Sequence, residues 1–421
     1  MSKTTRTLGV DFGTSNSAIG FCEEGRAQLI GVEKDAQTLP TAVFFDFDTK
    51  RIVYGQPAQE ALIAGDEGRY MRALKSLLGT ALMRESRMLL GKRMDFIAIV
   101  GDFLAQMKAR AEAATGLTFD RALSGRPVLF HSANERRNAQ AEIDLRDCYL
   151  AAGFTDVRFM PEPEAAALAN RAVLNPGDLG LVVDIGGGTS DFTLFRQQGE
   201  TEIDILASNG LRLGGTDFDR EISLQQVMPL LGRGSQIKHA FGSETHTAPT
   251  AIFADLATWQ KIPFLYTQDT RRMAADLEKY AVEPDKLARL MKVLEDELGH
   301  DLAFAVEAGK IAANDTRARS LPEINLAMLE TGLRADLPAA MLNFMLADMA
   351  QDIAQSALAT VAQANLKPAD VTRLIFVGGS SLMGVVDGAL CASFPQAQVH
   401  RGAALTAIVE GLAIASGTAF E

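Results

Sequence analysis

Two short stretches of the chain hold the residue types that phosphate chemistry needs. The first is Asp11-Phe12-Gly13-Thr14-Ser15-Asn16, and the second is Asp184-Ile185-Gly186-Gly187-Gly188-Thr189. Consecutive backbone N–H groups in a glycine-rich turn point into one concavity and can hold an oxyanion without side-chain charge. The hydroxyls of Thr14, Ser15, Thr189 and Ser190 add donors. Asp11 and Asp184 supply acceptor-only carboxylates, which suit Mg²⁺ directly or through its water shell. Two such turns facing each other would clamp the β- and γ-phosphates of a nucleotide. One turn alone would be explained by a tight hairpin in which glycine serves only the backbone. Its recurrence, together with a third turn at Gly378-Gly379-Ser380, favours the phosphate reading.

The elements that must position these turns can be read from the same residues. The segments 7–21 and 181–195 each run as an apolar stretch ending in Asp, a small-residue turn and a second apolar stretch. That is a β-hairpin signature. Residues 373–383 repeat the strand and the turn but lack the Asp. Two similar hairpins far apart predict a duplicated domain with a cleft between its halves. Helical periodicity covers 132–152, stopped by Gly153, then the Ala-rich 164–174, most of 269–314 with a break at Glu283-Pro284, and 339–363. A short strand is expected at 157–160, and 246–266, with Pro249 and Pro263, reads as an irregular insertion. Strands alternating with helices in each half make the class α/β. No GxxxxGK[ST] occurs, which excludes a P-loop NTPase, and the Gly186–Gly188 run leads into a strand, which excludes a dinucleotide fingerprint.

Composition narrows the partners. The chain has 421 residues, enough for two or three folded units, with 41 Lys and Arg against 53 Asp and Glu. A net charge of −12 argues against a nucleic-acid or anionic-membrane binder. At 47% apolar and 22% charged residues, there is ample surface to bury a core. Three scattered cysteines and no CxxC argue against a disulfide framework or structural zinc. The first residues move directly into a strand pattern without an apolar leader, and no run of about 18 apolar residues occurs, so a cytoplasmic protein is expected.

The motifs also resemble a known family. DFGTSNS (11–17) resembles the first phosphate motif of the seventy-kilodalton heat-shock, or DnaK-type, chaperones, and VVDIGGGTSDFT (182–193) their second. LGGTDFD (213–219), PEPEAAALA (161–169), VGGSSLM (377–383) and ALKSLLG (73–79) resemble further family motifs, all in family order, over roughly residues 7–220 and 300–415. The resemblance is to the ATPase domain, in particular that of the short YegD-like branch. It implies a duplicated ribonuclease-H-like (actin-like ATPase) fold, two lobes around a nucleotide cleft. Lobe I would span 1–175, with a subdomain at about 40–112 and the 401–421 helix returning to it. Lobe II would span 176–400, with a helical insertion at about 229–318.

Site roles follow from the resemblance alone. Asp11 and Asp184 would hold Mg²⁺ through water, and Gly13, Thr14, Ser15 and Asn16 would form the first phosphate loop. Lys75 would reach the γ-phosphate and the attacking water, Glu162 would stand beside the water network, and Thr189 would contact the γ-phosphate. Gly186, Gly187, Gly188, Gly214 and Gly215 would donate backbone N–H groups. Glu307 and Lys310 would contact the ribose, and Gly378, Gly379 and Ser380 the nucleoside. Leu382 stands where the family has an arginine that stacks on adenine, and Ile311 and Asn314 replace a basic residue and a serine. Those losses would weaken affinity by roughly 1–3 kcal/mol and relax base selectivity. The implied protein binds ATP and ADP with Mg²⁺, hydrolyses ATP slowly, is a monomer and signals to a protein partner. No peptide-binding domain is expected to follow. The same clamp would also serve a sugar or metabolite kinase, with Asp191 or Asp217 as general base, or an actin-like assembly protein.

Overall fold

The computed structural model describes residues 5–33, 36–131, 134–199, 202–239, 244–315, 317, 321–402 and 405–421. Its two compact units are Met1–Gly215 with Met349–Glu421, and Thr216–Asp348.

The first unit is built on two sheets with one strand order. The first sheet contains β1 (Thr5–Phe12), β2 (Asn16–Glu23), β3 (Arg26–Ile30), β4 (Thr118–Arg126) and β5 (Asp156–Pro161). They lie in the order β5-β4-β1-β2-β3, with Thr38–Pro40 pairing against β2. The second contains β6 (Leu179–Ile185), β7 (Ser190–Gln197), β8 (Ile203–Leu211), β9 (Arg373–Val377) and β10 (Gln398–Arg401). Their order is β8-β7-β6-β9-β10. In each sheet the first three strands form an antiparallel meander, and the fourth and fifth join the first in parallel. The duplication expected from the two hairpins is therefore present strand for strand. β6 is buried along its whole length, as expected for a strand flanked by neighbours and covered on both faces.

The sheets share a core. The helices Glu162–Ala169 and Ala407–Ser416 contribute Ala165, Ala166, Ala167, Ala407 and Leu412 to a cluster that also holds Leu123 of β4, Val182 of β6 and Ile375 of β9. The helices approach so closely that a Cβ at Gly411 would lie 1.8 Å from the Ala165 carbonyl oxygen. Because of this common core, the compact units divide at 215/216 and 348/349 and not at the lobe boundary expected near 175. Residues 40–115 hold a small sheet, with strands at Ala42–Asp46, Ile52–Tyr54 and Gly68–Arg72, and the helix Phe96–Thr115.

Several local expectations are refined. The helix expected over 132–152 runs Glu135–Ala151, with Asn134 accepting from the Arg137 N–H as its cap; residues 132 and 133 lie outside the described ones. The Ala-rich helix stops at Ala169, where the Asn170 side chain donates to the Ala166 carbonyl. The third turn is not a hairpin, because β9 passes through Gly379–Leu382 into the helix Gly384–Ser393.

The second unit is mainly helical, with Gln268–Tyr280, Pro284–Glu295 and Gly299–Asn314 as its longest complete helices. The 246–266 stretch is ordered rather than irregular. It forms the end of a hairpin, the helix Ala251–Leu256 and a 3₁₀ segment Trp259–Phe264. Ile252, Phe253, Leu256, Trp259 and Ile262 are all buried, a helical spacing that the prolines had obscured. The helix Ala339–Gln363 runs from the second unit into the first, with the expected bounds. No described helix is long and apolar enough to cross a membrane.

Candidate functional site

A cleft of about 90 Å³ in the first unit brings the two Asp turns together. The β1–β2 turn contributes Asp11, Gly13, Thr14, Ser15 and Asn16, and the β6–β7 turn contributes Asp184, Gly186, Gly187, Gly188 and Thr189. Lys75, Glu162, Gly378 and Gly379 complete the wall, together with the apolar Leu405 and Ile408. The turns pack against each other. A Cβ on Gly187 would lie 2.5 Å from Ser15 Oγ and 3.2 Å from Thr14 Cβ, so glycine lets the loops touch without displacing the Ser15 hydroxyl.

Gly214, Gly215 and Ser380 stand behind the second turn instead of lining the cleft. The Gly215 N–H donates to the Gly186 carbonyl at 2.9 Å, and a Cβ on Gly214 would meet Gly188 N at 2.6 Å. Ser380 Oγ lies 2.3 Å from the Cβ position of Gly215. These residues fix the shape of the loop that lines the cleft.

Lys75 sits on the 3₁₀ turn Leu74–Leu77, and Glu162 opens the helix Glu162–Ala169 behind Pro161. Their side chains meet at 2.5 Å, each less than a tenth exposed. Burial alone would lower the Lys75 ammonium, but the carboxylates of Glu162, Asp11 and Asp191 together raise it. The carboxyls respond in the opposite sense. Burial, then the Glu162 charge, pushes Asp11 up to about 7, with Lys75 pulling it back. Asp184 is held well above the usual range by burial and by Glu162, Asp191 and Asp11. Asp191 is pushed up to about 7 by burial and Glu162, against hydrogen bonds from Thr189 and the Val128 N–H.

Three buried acids, Glu162, Asp184 and Asp191, and the half-buried Asp11 thus surround one ammonium, and the Asp191 Oδ2 atom is buried with no hydrogen-bond partner. This donor set fits a hard divalent cation. Among the described residues no three His, Cys, Asp or Glu side chains gather tightly enough to coordinate a metal directly.

Asp191 was read from the sequence only as a nominal kinase base. Its membership of the acid cluster follows from register, because it pairs directly opposite Asp184 across the hairpin and shares its face. It is fully buried, and its Oδ1 atom accepts from the Val128 N–H at 2.7 Å, so no substrate hydroxyl reaches it. Asp217 lies on the helix Gly215–Ile222.

Glu307 and Lys310 lie one turn apart on the helix Gly299–Asn314 of the second unit. Lys310 is buried and paired with Asp219 at 2.7 Å, and the Trp259 indole donates to the other Asp219 oxygen at 3.2 Å. Burial raises the Asp219 carboxyl even so, with Lys310 opposing and Glu307 adding to the rise. Ile311 and Leu382, two of the three departures noted above, are both more than half exposed.

Two sheets of identical strand order, each opening on a hairpin with an Asp and a small-residue turn, define an actin-like ATPase fold. The Hsp70 protein family profile matches residues 7–88 and 83–227, just over half of the chain, and the chain belongs to that family. It is similar to the chaperone protein DnaK of Elusimicrobium minutum (strain Pei191), 33% identical over 223 residues. It is also similar to the chaperone protein DnaK of Endomicrobium trichonymphae, 31% identical over 223 residues. Each alignment covers 52% of this chain and 34% of the relative, so the match spans about a third of the length of these proteins.

Proposed function

We propose that the first unit binds ATP and ADP with Mg²⁺ in this cleft and hydrolyses ATP slowly. The observation that carries the reading is the buried Lys75–Glu162 pair set among Asp11, Asp184 and Asp191 between two glycine turns. An excess of buried negative charge around one ammonium is costly unless a cation and a substrate use it. Bound Mg²⁺, held through water by Asp11 and Asp184, would neutralise phosphate charge. The N–H groups of the two turns and the hydroxyls of Thr14, Ser15 and Thr189 bind and orient the β- and γ-phosphates. Lys75 stabilises the charge that builds on the γ-phosphoryl oxygens as water attacks phosphorus and the bond to the β-phosphate oxygen breaks. Glu162 keeps Lys75 protonated and aimed and accepts a hydrogen bond from the incoming water.

Glu307 and Lys310 are assigned to the ribose and Gly378 to Ser380 to the nucleoside on the family pattern. Lys310 contributes its aliphatic stem more than its charge, which Asp219 already neutralises. We further place the protein in the cytoplasm as a monomer whose nucleotide state is read by a protein partner. Chaperone action of the kind named in its DnaK relatives belongs to the same proposal. ATP and ADP titrations with and without Mg²⁺, followed by phosphate release, test the reading. Absence of both binding and release refutes it, whereas phosphate transfer to an added sugar in place of water would turn it into a kinase.

A further inference from the structure

We infer that His131, Asp144 and Arg212 are positioning residues that hold the Lys75 turn from outside the cleft, an inference that rests on the hydrolytic role proposed for Lys75. The turn is short and strained where it begins. It is a single 3₁₀ turn, Leu74–Leu77, entered through Ala73 in the left-handed region at φ 58°, which residues with a side chain disfavour. At its ends Ser76 N donates to the Ala73 carbonyl and Leu78 N to the Lys75 carbonyl.

Three side chains distant in sequence grip the backbone on the far side. His131 Nε2 donates to the Leu78 carbonyl at 2.7 Å. Asp144 Oδ2 accepts from the Gly79 N–H at 2.9 Å. Arg212 donates from Nη2 to the Ser76 carbonyl at 3.3 Å and from Nη1 to the Phe130 carbonyl at 3.2 Å. The grip leaves little slack. A Cβ on Gly79 would lie 2.3 Å from the Arg137 carbonyl, so the turn is pressed onto the helix Glu135–Ala151.

Each anchor is itself fixed. Asp144 is almost wholly buried and also accepts from Arg84 Nη2 at 3.0 Å and Gln140 Nε2 at 2.9 Å, which holds its side chain in place. His131 is buried, and burial lowers its imidazole below the usual range, which keeps it neutral. Arg212 stands two residues before Gly214, which packs behind Gly186–Gly188, so one guanidinium ties the Lys75 turn to the backing of the second phosphate turn. None of the three lines the cleft. Their effect on chemistry runs through the placement of Lys75, where a displacement of about 1 Å can cost on the order of a hundredfold in rate.

The test uses the full chain and four variants: His131→Leu, His131→Gln, Arg212→Ala and Lys75→Ala. Glutamine keeps an N–H donor near the Leu78 carbonyl; leucine keeps bulk without it. His131→Leu and Arg212→Ala should lower ATP turnover by about 10- to 100-fold with nucleotide affinity within about twofold, and His131→Gln should recover most of the rate. Either loss should vanish in the Lys75→Ala background, since residues acting through one another are not additive. An amine-reactive reagent read by mass spectrometry gives a second measure. It should label Lys75 faster in His131→Leu and Arg212→Ala than in wild type or His131→Gln, with other lysines unchanged. Unchanged Lys75 labelling in both variants, or a turnover loss that persists in full without Lys75, overturns the inference. If Lys75→Ala itself leaves turnover intact, the hydrolytic reading fails, and labelling alone then decides whether the turn is held as described.

Discussion

Replacing Asp11 by asparagine in the nucleotide- and metal-free protein should stabilise the fold, by an amount that grows with pH. The Asp11 carboxyl is pushed from the usual 3.8 up to about 7 by burial and the neighbouring Glu162 charge. A gap of about three pH units, at 1.36 kcal/mol each, makes ionisation in the folded state cost about 4 kcal/mol. The sign follows from linkage. The folded pKa lies above the unfolded one, so the penalty is absent below pH 3.8, grows as pH rises through the window, and is complete above about 7. Asparagine has nearly the same shape and no charge to ionise. Allowing for relaxation of the wild-type site, the variant should gain about 2–4 kcal/mol at pH 8 and no more than half of that at pH 5. At about 2 °C per kcal/mol for a unit of this size, that is roughly 4–8 °C at pH 8. Thermal unfolding followed by circular dichroism in EDTA, at pH 5, 6.5 and 8, measures it. Saturating Mg²⁺ and ATP should reverse the ranking, because the wild type then has the stronger binding. A variant no more stable than wild type at pH 8, or a gain that does not grow with pH, refutes the picture of a charge cluster held under repulsion.

Other substitutions divide binding from chemistry. Lys75→Ala should lower turnover by about 10²–10³-fold while moving nucleotide affinity little, as checked by single-turnover phosphate release and titration. Thr189→Ala removes one neutral hydroxyl and should cost about tenfold in the same assay. Asp184→Asn should weaken nucleotide binding in Mg²⁺ but not in EDTA; equal Mg²⁺ dependence in wild type and variant would reduce Asp184 to a strand-end residue. Gly187→Ala brings a methyl to 2.5 Å from Ser15 Oγ, so it should turn the Ser15 hydroxyl away from its place and weaken ATP binding by about threefold in calorimetry without unfolding the unit.

Much of the site was legible because its signals are local. Each Asp turn lies within one hairpin, and hairpins announce themselves over a dozen residues. Asp191 was harder, since its place beside Asp184 depends on the register of the strands and not on any feature of its own segment. His131, Asp144 and Arg212 carry no sequence signal at all. They meet the Lys75 turn from positions far along the chain, and each by itself is an ordinary polar residue. The division of the chain was hidden for a different reason. Ala165, Ala166, Ala167 and Gly411 look like generic helix formers and a helix weakness until the two helices are brought into contact. In 246–266 the prolines outweighed an apolar spacing that tertiary packing used all the same.

The contact between Gly411 and Ala165 has a mechanical consequence. Helices usually interlock through ridges of large side chains, and changing their offset means lifting every ridge out of its groove. Here the point of closest approach is bare backbone, Gly411 against the Ala165 carbonyl, so the crossing itself has no teeth. Sliding one helix along the other meets no interlocked side chains at that crossing, so resistance to shear comes from the buried Leu412 and Ile408 beside it. One of the sliding rods begins with Glu162, whose carboxylate grips Lys75. Any side chain at Gly411 would meet the Ala165 backbone at 1.8 Å, force the two helices apart and displace that rod.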